Sequence, residues 1–405
     1  MDPGLRRDDD VYVTEGPTMR PILFLAAALA FAPPAAARDT LDRVVVLMRH
    51  GVRAPIVGEA PADTKVAGEW PAWPVAPEFL TPHGAAAIAH LARYDRRWLS
   101  ATACPAPGSV RIRTNTAERT IATGRAYADA LAPGCTLPVD HNPAGRIDPL
   151  FEPLRAGATA FDADKAVAAI TAYTGGVDAL TARHADAIRA LDRVLGCGLP
   201  AGCSTPGPAT LNPSRDGRGI DFTGPIRATS GTAQVILLQY AEGMPMAKVG
   251  FGRADAATIR RIGTLHAALF DVFTRSPYMA AHQAGPVGAH MLATLTAAKA
   301  PRLEMLVGHD TNVTALGAAL GVDLDAPGFA RGDVAPGGAL VLKRWRGRKG
   351  PYVTVSYRAQ PLEAIRSGAA TVVETPLAIP GCSVRCPIDR FDELLRARLA
   401  SVVAG

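Results

Sequence analysis

The chain has 405 residues, of which 48% are hydrophobic and 20% are charged, and it carries a net charge of +6. This length exceeds one compact core, so we expect two domains or a core with a large insertion, and apolar surface is ample. The positive charge is dispersed along the chain except for one basic run at 343–349. A positive net charge favours an anionic small molecule as the partner, and its dispersal disfavours a nucleic acid.

Residues 19–37 have the pattern of a secretory signal peptide. Met19 and Arg20 form a charged start, 21–31 an apolar core, and 35–37 a run of alanines. We expect translation to begin at Met19, cleavage to follow Ala37, and the protein to be periplasmic or secreted. No later segment reaches the ~20 apolar residues of a membrane span, so the mature form is not expected to insert into a membrane.

An apolar run at 44–48 predicts a strand buried in a parallel sheet. It leads into Arg49-His50-Gly51-Val52-Arg53-Ala54-Pro55. The carboxyl end of such a strand is where α/β sheets bind ligands. Arg49 and Arg53 offer planar donor forks that suit phosphate oxygens, with His50 between them, and Gly51 permits a close backbone approach or a sharp turn.

The rest of the chain repeats strands and helices in the order that is typical of βαβ units. Helices are predicted over 84–99 and 116–131 around a strand at 110–113, and a strand at 303–307 precedes a helix ending at Leu320. Strands at 339–345 and 352–357 complete the sheet, whereas 145–251 contain helices, one of them at 234–240, with no strong strand. We therefore predict an α/β fold with a mostly parallel central sheet flanked by helices. Its core comprises 38–144 and 252–405, an α-helical insertion domain lies at 145–251, and 1–37 are an extension and signal peptide.

Polar residues follow three of these strands. Arg119 lies early in the helix after the second strand, and His309-Asp310 follow the strand at 303–307. The carboxyl ends of parallel strands meet at one edge, so these residues are expected to join His50. Arg119 alone is equally a surface arginine paired with Glu118 or Glu152, and Asp310 alone is equally a helix cap. The adjacent histidine is not explained by capping.

Six cysteines in an exported chain suggest three disulfides. Zinc is the alternative, but no CxxC pair occurs and no histidine stands at ligand spacing beside a cysteine.

Together these motifs resemble the histidine acid phosphatases, a branch of the histidine phosphatase superfamily that includes bacterial periplasmic phytases and glucose-1-phosphatases. The resemblance extends along most of the chain. It rests on the segments 49–55 and 308–312, on Trp70-Pro71-Ala72-Trp73-Pro74-Val75, Leu80-Thr81-Pro82-His83-Gly84, Glu118-Arg119-Thr120, Leu237-Leu238-Gln239, Glu242-Gly243-Met244 and Gly337-Gly338-Ala339-Leu340. It implies a core like that of phosphoglycerate mutase and the disulfides Cys104–Cys135, Cys197–Cys203 and Cys382–Cys386.

The resemblance also implies a two-step phosphoryl transfer. His50 is the implied nucleophile, and Asp310 the group that protonates the leaving alcohol. Arg49, Arg53, Arg119 and His309 would hold the phosphoryl group, with no metal or cofactor, because the arginines supply the positive charge. Their proximity should lower the pKa of His50, and an acidic activity optimum is expected.

The substrate is left open between phytate, a sugar phosphate and monoesters in general. Phytases of this family tend to carry polar or basic residues after the first motif, whereas this chain has Ile56-Val57-Gly58-Glu59. A mutase-type phosphoryl transferase and a non-catalytic binding protein for phosphate or inositol phosphates remain alternatives, and a monomer is expected. The remaining histidines without a motif, His90, His141, His184, His266, His282 and His290, are assigned to the surface or to packing.

Overall fold

The computed structural model describes residues 39–66, 68–99, 103–197, 203 and 207–400. The predicted signal peptide and the start at Met19 therefore lie outside the described residues. The segment from Asp39 onward forms one compact unit, and the boundaries of the insertion at 145 and 251 remain predictions. No helix within the described ranges is both long and apolar enough to span a membrane.

A mixed sheet lies at the centre of the fold. The strands in chain order are β1 Thr40–Arg49, β2 Val110–Thr114, β3 Val139–Asp140, β4 Thr210–Pro213, β5 Ile220–Thr223, β6 Leu303–Gly308, β7 Ala339–Gly347, β8 Gly350–Ala359, β9 Val373–Leu377 and β10 Cys386–Pro387. The strand order in the sheet is β10-β8-β7-β1-β6-β2-β3, with β9 also paired to β8. The four strands β1, β6, β2 and β3 run parallel, and β7, β8, β9 and β10 join antiparallel.

Helices cover the sheet, and the predicted architecture is confirmed. Helix α6 packs on α7, and α8 packs on α9. The bounds are α1 Pro82–Asp95, α2 Glu118–Leu131, α3 Ala163–Thr174, α4 Val177–Arg183, α5 Ala185–Leu195, α6 Pro225–Ala241, α7 Ala256–Phe273, α8 Pro277–Thr296, α9 Asp310–Leu320, α10 Leu362–Ser367 and α11 Ile388–Leu399, with 3-10 turns at Arg96–Trp98 and Val249–Gly252.

The boundaries of the predicted elements shift for local reasons. Helix α1 begins two residues early because Thr81 caps it, its hydroxyl accepting from the Gly84 N–H at 2.9 Å, and Pro82 suits the first turn. Helix α2 begins at Glu118, after Ala117 in an extended conformation. The predicted helix at 234–240 is the second half of α6.

The prediction of no strong strand between 145 and 251 overlooks two short strands. Strands β4 and β5 form an antiparallel hairpin, with Leu211 opposite Phe222 and Pro213 opposite Ile220. The segment is rich in proline, glycine and charge, so its pattern is typical of a loop. Contacts of β4 with helix α3 supply the tertiary support that local sequence does not reveal.

Strand register brings the distant motifs together. Arg49 at the end of β1 pairs with Gly308 at the end of β6, so His50 and His309 emerge side by side. Strand β2 lies on the other side of β6 and leads into α2, which carries Arg119. One sheet edge therefore collects all three predicted segments.

The three cysteine pairs that the resemblance implies lie at distances compatible with disulfides. Cys104 and Cys135 have Cα atoms 5.6 Å apart, and the pairs Cys197–Cys203 and Cys382–Cys386 each have 5.5 Å. These separations suit disulfides.

A fully buried ion pair joins Asp95, at the end of α1, to Arg358 on β8. Tyr127 also donates to Asp95 at 2.9 Å. We expect Asp95→Asn to lower the free energy of unfolding by about 3–5 kcal/mol, because the guanidinium of Arg358 then stays buried without a countercharge. Denaturant unfolding with intact disulfides measures this change.

The matched control is Asp323→Asn, which removes the acid from an exposed ion pair with Arg331. This substitution should cost no more than about 1 kcal/mol. If Asp95→Asn lowered the free energy of unfolding no more than Asp323→Asn does, the buried pair would not stabilise the fold.

Candidate active site

His50 follows β1 and is fixed through its backbone on two sides. Its N–H donates to the Gly308 carbonyl and its carbonyl accepts from the Gly337 N–H, both at 3.0 Å. The next residue, Gly51, has no room for a side chain, since a Cβ atom there would lie 2.9 Å from side-chain atoms of Ile88 and Leu80. Close packing is thus what requires this glycine, rather than a sharp turn.

The imidazole of His50 is oriented for attack. Its Nδ1 lies 2.9 Å from the Gly51 carbonyl, which can only accept, so Nδ1 carries the proton and Nε2 keeps a lone pair. Burial, together with the charge of Arg119 and the neighbouring arginines, holds the pKa of His50 well below its usual range. Burial of the imidazole lowers this pKa most, and the guanidiniums lower it further, as expected. Both the hydrogen bond and the lowered pKa favour an unprotonated Nε2 on His50, as a nitrogen nucleophile requires.

Arg49 connects the two halves of the site. Its side chain is fully buried, and it donates to the Val334 carbonyl. Its Nη2 lies 3.0 Å from the Asp310 carboxylate. Burial opposes ionisation of Asp310, but Arg49 and the other nearby cations hold the pKa of this carboxyl below its usual range. Asp310 is the first residue of α9, so it is not merely the residue that caps the helix.

Arg53 is held by a carboxylate that the motif does not reveal. Its Nη1 and Nη2 each donate to Glu59 at 2.7 Å, a bidentate pair. Glu59 also accepts from the Ile56 N–H at 2.9 Å. The loop after the first motif is thereby tied to the guanidinium of Arg53.

Arg119 is partnered neither by Glu118 nor by Glu152. Its Nη1 lies 3.2 Å from Glu78, and its side chain is largely buried. Glu78 has a φ of +75°, a strained conformation for a residue other than glycine. The loop that contacts Arg119 through Glu78 therefore has an unusual backbone conformation at Glu78.

His309 faces His50 across the site. The two ring centroids are 5.6 Å apart with nearly perpendicular planes. Burial and the charge of Arg119 lower the pKa of His309 to about 3. The Asn312 side chain accepts from the backbone N–H of His309 at 2.9 Å and fixes its position at the helix start. His309 is accordingly neutral and serves as a hydrogen-bonding group.

The site contains buried donors that lack a protein acceptor. Among the described residues, the Nε atoms of Arg49, Arg53 and Arg119 have no hydrogen-bond partner, nor does Nη2 of Arg49 in hydrogen-bonding geometry. Buried donors are normally paired, and three such arginines at one sheet edge leave donors available to an anionic ligand. In the described part of the chain, no group of three or more potential metal ligands is placed to hold a metal ion.

One residue beside the site, His266, was not predicted to lie there. His266, assigned by sequence only to packing or the surface, is buried on α7 with Nε2 3.9 Å from Asp310. Its Nδ1 lies 2.8 Å from Asp333. Neither residue belongs to a motif, and only the packing of α7 against the 333–335 loop brings them to Asp310. The structure thus places a histidine–carboxylate pair behind the predicted acid.

The chain is similar to known proteins over most of its length. Residues 40–176 match the family model of the histidine phosphatase superfamily (branch 2). The phytase AppA of Escherichia coli K12 is 32% identical, with 92% of this chain and 96% of the relative covered. A glucose-1-phosphatase of Providencia rettgeri is 28% identical over 91% of this chain and 94% of its own.

Solved structures agree with the sequence relatives. A phytase of Hafnia alvei in complex with tartrate superposes with a TM-score of 0.83 at 30% identity, covering 90% of this chain and 98% of the other. A phytase of Klebsiella sp. ASR1 gives a TM-score of 0.82 at 26% identity, covering 91% and 96%. The match in sequence and fold spans about nine tenths of the chain. The chain therefore belongs to the histidine phosphatase superfamily (branch 2) as one of its phosphomonoester hydrolases.

Proposed function

We propose that the chain hydrolyses phosphomonoesters through a phosphohistidine formed on His50. The observation that carries this proposal is that Arg49, Arg53 and Arg119 lie close enough to His50 to act on it by charge, while their Nε donors have no hydrogen-bond partner among the described residues. Phosphoryl transfer needs positive charge and positioning more than it needs bond-making groups. The three guanidiniums supply the charge, and together with neutral His309 they position the phosphoryl group. No step of this reaction requires a metal.

In the first step, Nε2 of His50 attacks phosphorus and the bond from phosphorus to the alcohol oxygen breaks. The leaving oxygen takes the proton of the Asp310 carboxyl group and departs as the alcohol. In the second step, the Asp310 carboxylate accepts a proton from water, whose oxygen attacks phosphorus and releases His50. Inorganic phosphate leaves, and Asp310 is protonated again.

Asp310 must hold a proton although the free site favours its charged form. Arg49 lowers its pKa, whereas a bound phosphate brings negative charge beside it and raises its proton affinity. The ring of His266 lies 3.9 Å from the same carboxylate.

The contact with His266 predicts an effect of Asp333 on turnover. Asp333 holds the His266 ring beside Asp310, with 2.8 Å between its carboxylate and Nδ1 of His266. In Asp333→Asn this anchor is weakened, so kcat for alkyl phosphates should fall by about 10-fold, within the range of general acid catalysis. Comparison of kcat for glycerol-1-phosphate with kcat for p-nitrophenyl phosphate measures this effect, with melting temperature as the control for folding. Equal losses for the two substrates would indicate a structural role only.

The direct test of the function is release of inorganic phosphate by the disulfide-bonded protein in EDTA from pH 3 to 9. Suitable substrates are p-nitrophenyl phosphate, glucose-1-phosphate and phytate, the last two taken from the names of the relatives. We expect turnover with an acidic optimum. Phosphate binding without turnover would favour a binding protein, and a requirement for a bisphosphorylated primer would favour a mutase.

We also propose that the protein acts outside the cytosol, in the periplasm or after secretion. Three cysteine pairs at disulfide distance support an oxidising compartment. The expectations of a monomer and of no nucleic-acid partner stay predictions. Sedimentation of the purified protein tests the first of them.

A further inference from the structure

A cavity of about 410 Å³ opens beside the loop that directly follows Arg53. Its walls come from the loop after the first motif, from the segment 70–77 and from α6. They include Pro55, Ile56, Val57, Trp70, Trp73 and Val235. No charged side chain lies among the lining residues, so this region suits an apolar group.

The cavity wall is attached to the phosphate site. Ala54 lines the cavity and directly follows Arg53, whose guanidinium is bonded twice to Glu59. On α6, a Cβ at Gly231 would fall 1.8 Å from the Glu59 carbonyl, so the loop lies directly on this helix. Val235, one turn later, lines the cavity. A phosphoryl group at Arg53 therefore has this cavity beside it for the rest of the molecule.

The charges around the site disfavour a second phosphate there. Each of the three arginines already faces one carboxylate: Arg49 faces Asp310, Arg53 faces Glu59, and Arg119 faces Glu78. A second phosphate in the cavity would meet no lining cation and would lie near Glu59. Repulsion between like charges in a partly buried site is stronger than in water.

The two tryptophans give the cavity its shape. Trp70 and Trp73 are half-buried and pack against the main hydrophobic core, and the Trp70 ring lies 5.0 Å from Phe251. They are thus held in place before a ligand arrives. Fixed indole rings offer a large apolar surface at small entropic cost, and they favour a flat, uncharged group.

We propose that this cavity is the subsite for the alcohol part of the substrate, and that it selects phosphomonoesters of uncharged, apolar alcohols over polyphosphorylated ones. Further phosphates would find no cation among the residues that line the cavity. The proposal rests on the phosphomonoesterase function proposed above. It narrows the substrate class to esters whose alcohol carries an aromatic or similarly apolar group.

The test compares three esters of primary alcohols: ethyl phosphate, 2-phenylethyl phosphate and propane-1,3-diol bisphosphate. Their leaving groups are of similar basicity, so differences in kcat/KM report binding of the alcohol part. We expect 2-phenylethyl phosphate to exceed ethyl phosphate by about 10- to 100-fold. The bisphosphate should not exceed ethyl phosphate beyond the twofold given by its two phosphates.

Failure of the two proposals is distinguishable. Turnover of all three esters with no preference for the phenyl group, or with a preference for the bisphosphate, overturns the apolar subsite and leaves the phosphatase function intact. No turnover of any of the three overturns the proposed function and the subsite with it.

A charge placed at the cavity rim gives a second test. Val57 is 80% exposed, so Val57→Lys should not disturb folding. It should lower the preference for 2-phenylethyl over ethyl phosphate severalfold and raise kcat/KM for the bisphosphate about 10-fold at low salt. The matched control is Val384→Lys, at a position 57% exposed in the C-terminal disulfide loop.

Trp73→Ala should likewise reduce the phenyl preference, through loss of apolar surface rather than through charge. Equal preferences in the unchanged protein, Val57→Lys and Trp73→Ala would overturn the assignment of the cavity.

Discussion

His50→Ala should reduce phosphate release by a factor on the order of 10⁴ or more, because the reaction then lacks its nucleophile. The loss should be of this size for every phosphomonoester, whatever its leaving group. Folding should be preserved, since the backbone bonds of His50 to Gly308 and Gly337 do not involve its side chain. The melting temperature and the rate with p-nitrophenyl phosphate measure these two expectations.

The covalent intermediate can be observed directly. With radiolabelled substrate and rapid quenching in alkali, the unchanged protein should retain label that acid later releases, as a phosphohistidine does. His50→Ala should retain none. The exposed His141 offers a matched control, and His141→Ala should keep the rate and the label. Retention of label by His50→Ala would assign the nucleophile to another residue.

The meeting of the polar motifs at one sheet edge was predictable from sequence, because local signals define the strands that lead to them. A continuous apolar strand at 44–48 and another at 303–307 each end in a polar motif. Parallel neighbours in a sheet must bring these ends together, and the pairing of Arg49 with Gly308 does so. Periodicity alone did not give the antiparallel half of the sheet, because pairing direction depends on connections and not on the residues of a strand.

The partners of the arginines were not predictable. Glu59 lies within the loop next to the first motif, but nothing in its sequence indicates that its carboxylate turns back onto Arg53. Glu78 reaches Arg119 through a left-handed backbone conformation, which the sequence does not signal at a glutamate. His266 and Asp333 meet through the packing of distant segments. Such contacts depend on tertiary structure, and local pattern carries no information about them.

Asp310→Asn should separate the two chemical steps. Alkyl phosphates need a proton on the leaving oxygen, so their turnover should fall by about 10² to 10⁴. p-Nitrophenolate leaves without a proton, so its release in the first step should change little. The second step still needs the Asp310 carboxylate to take a proton from water. We therefore expect a burst of p-nitrophenol equal to the enzyme concentration, followed by a slow phase in which phosphohistidine accumulates.

The size and shape of asparagine keep the packing at the start of α9, and the unpaired charge of Arg49 is the main remaining disturbance. An exposed aspartate on α2 provides the control, because Asp129→Asn makes the same chemical change away from the site. That variant should show no burst and no loss. The contrast between leaving groups is what identifies a proton donor, since a loss of binding would slow both substrates alike. If Asp310→Asn slows p-nitrophenyl and alkyl phosphates by the same factor without a burst, the proton must come from elsewhere, and His266 is then the group positioned to supply it.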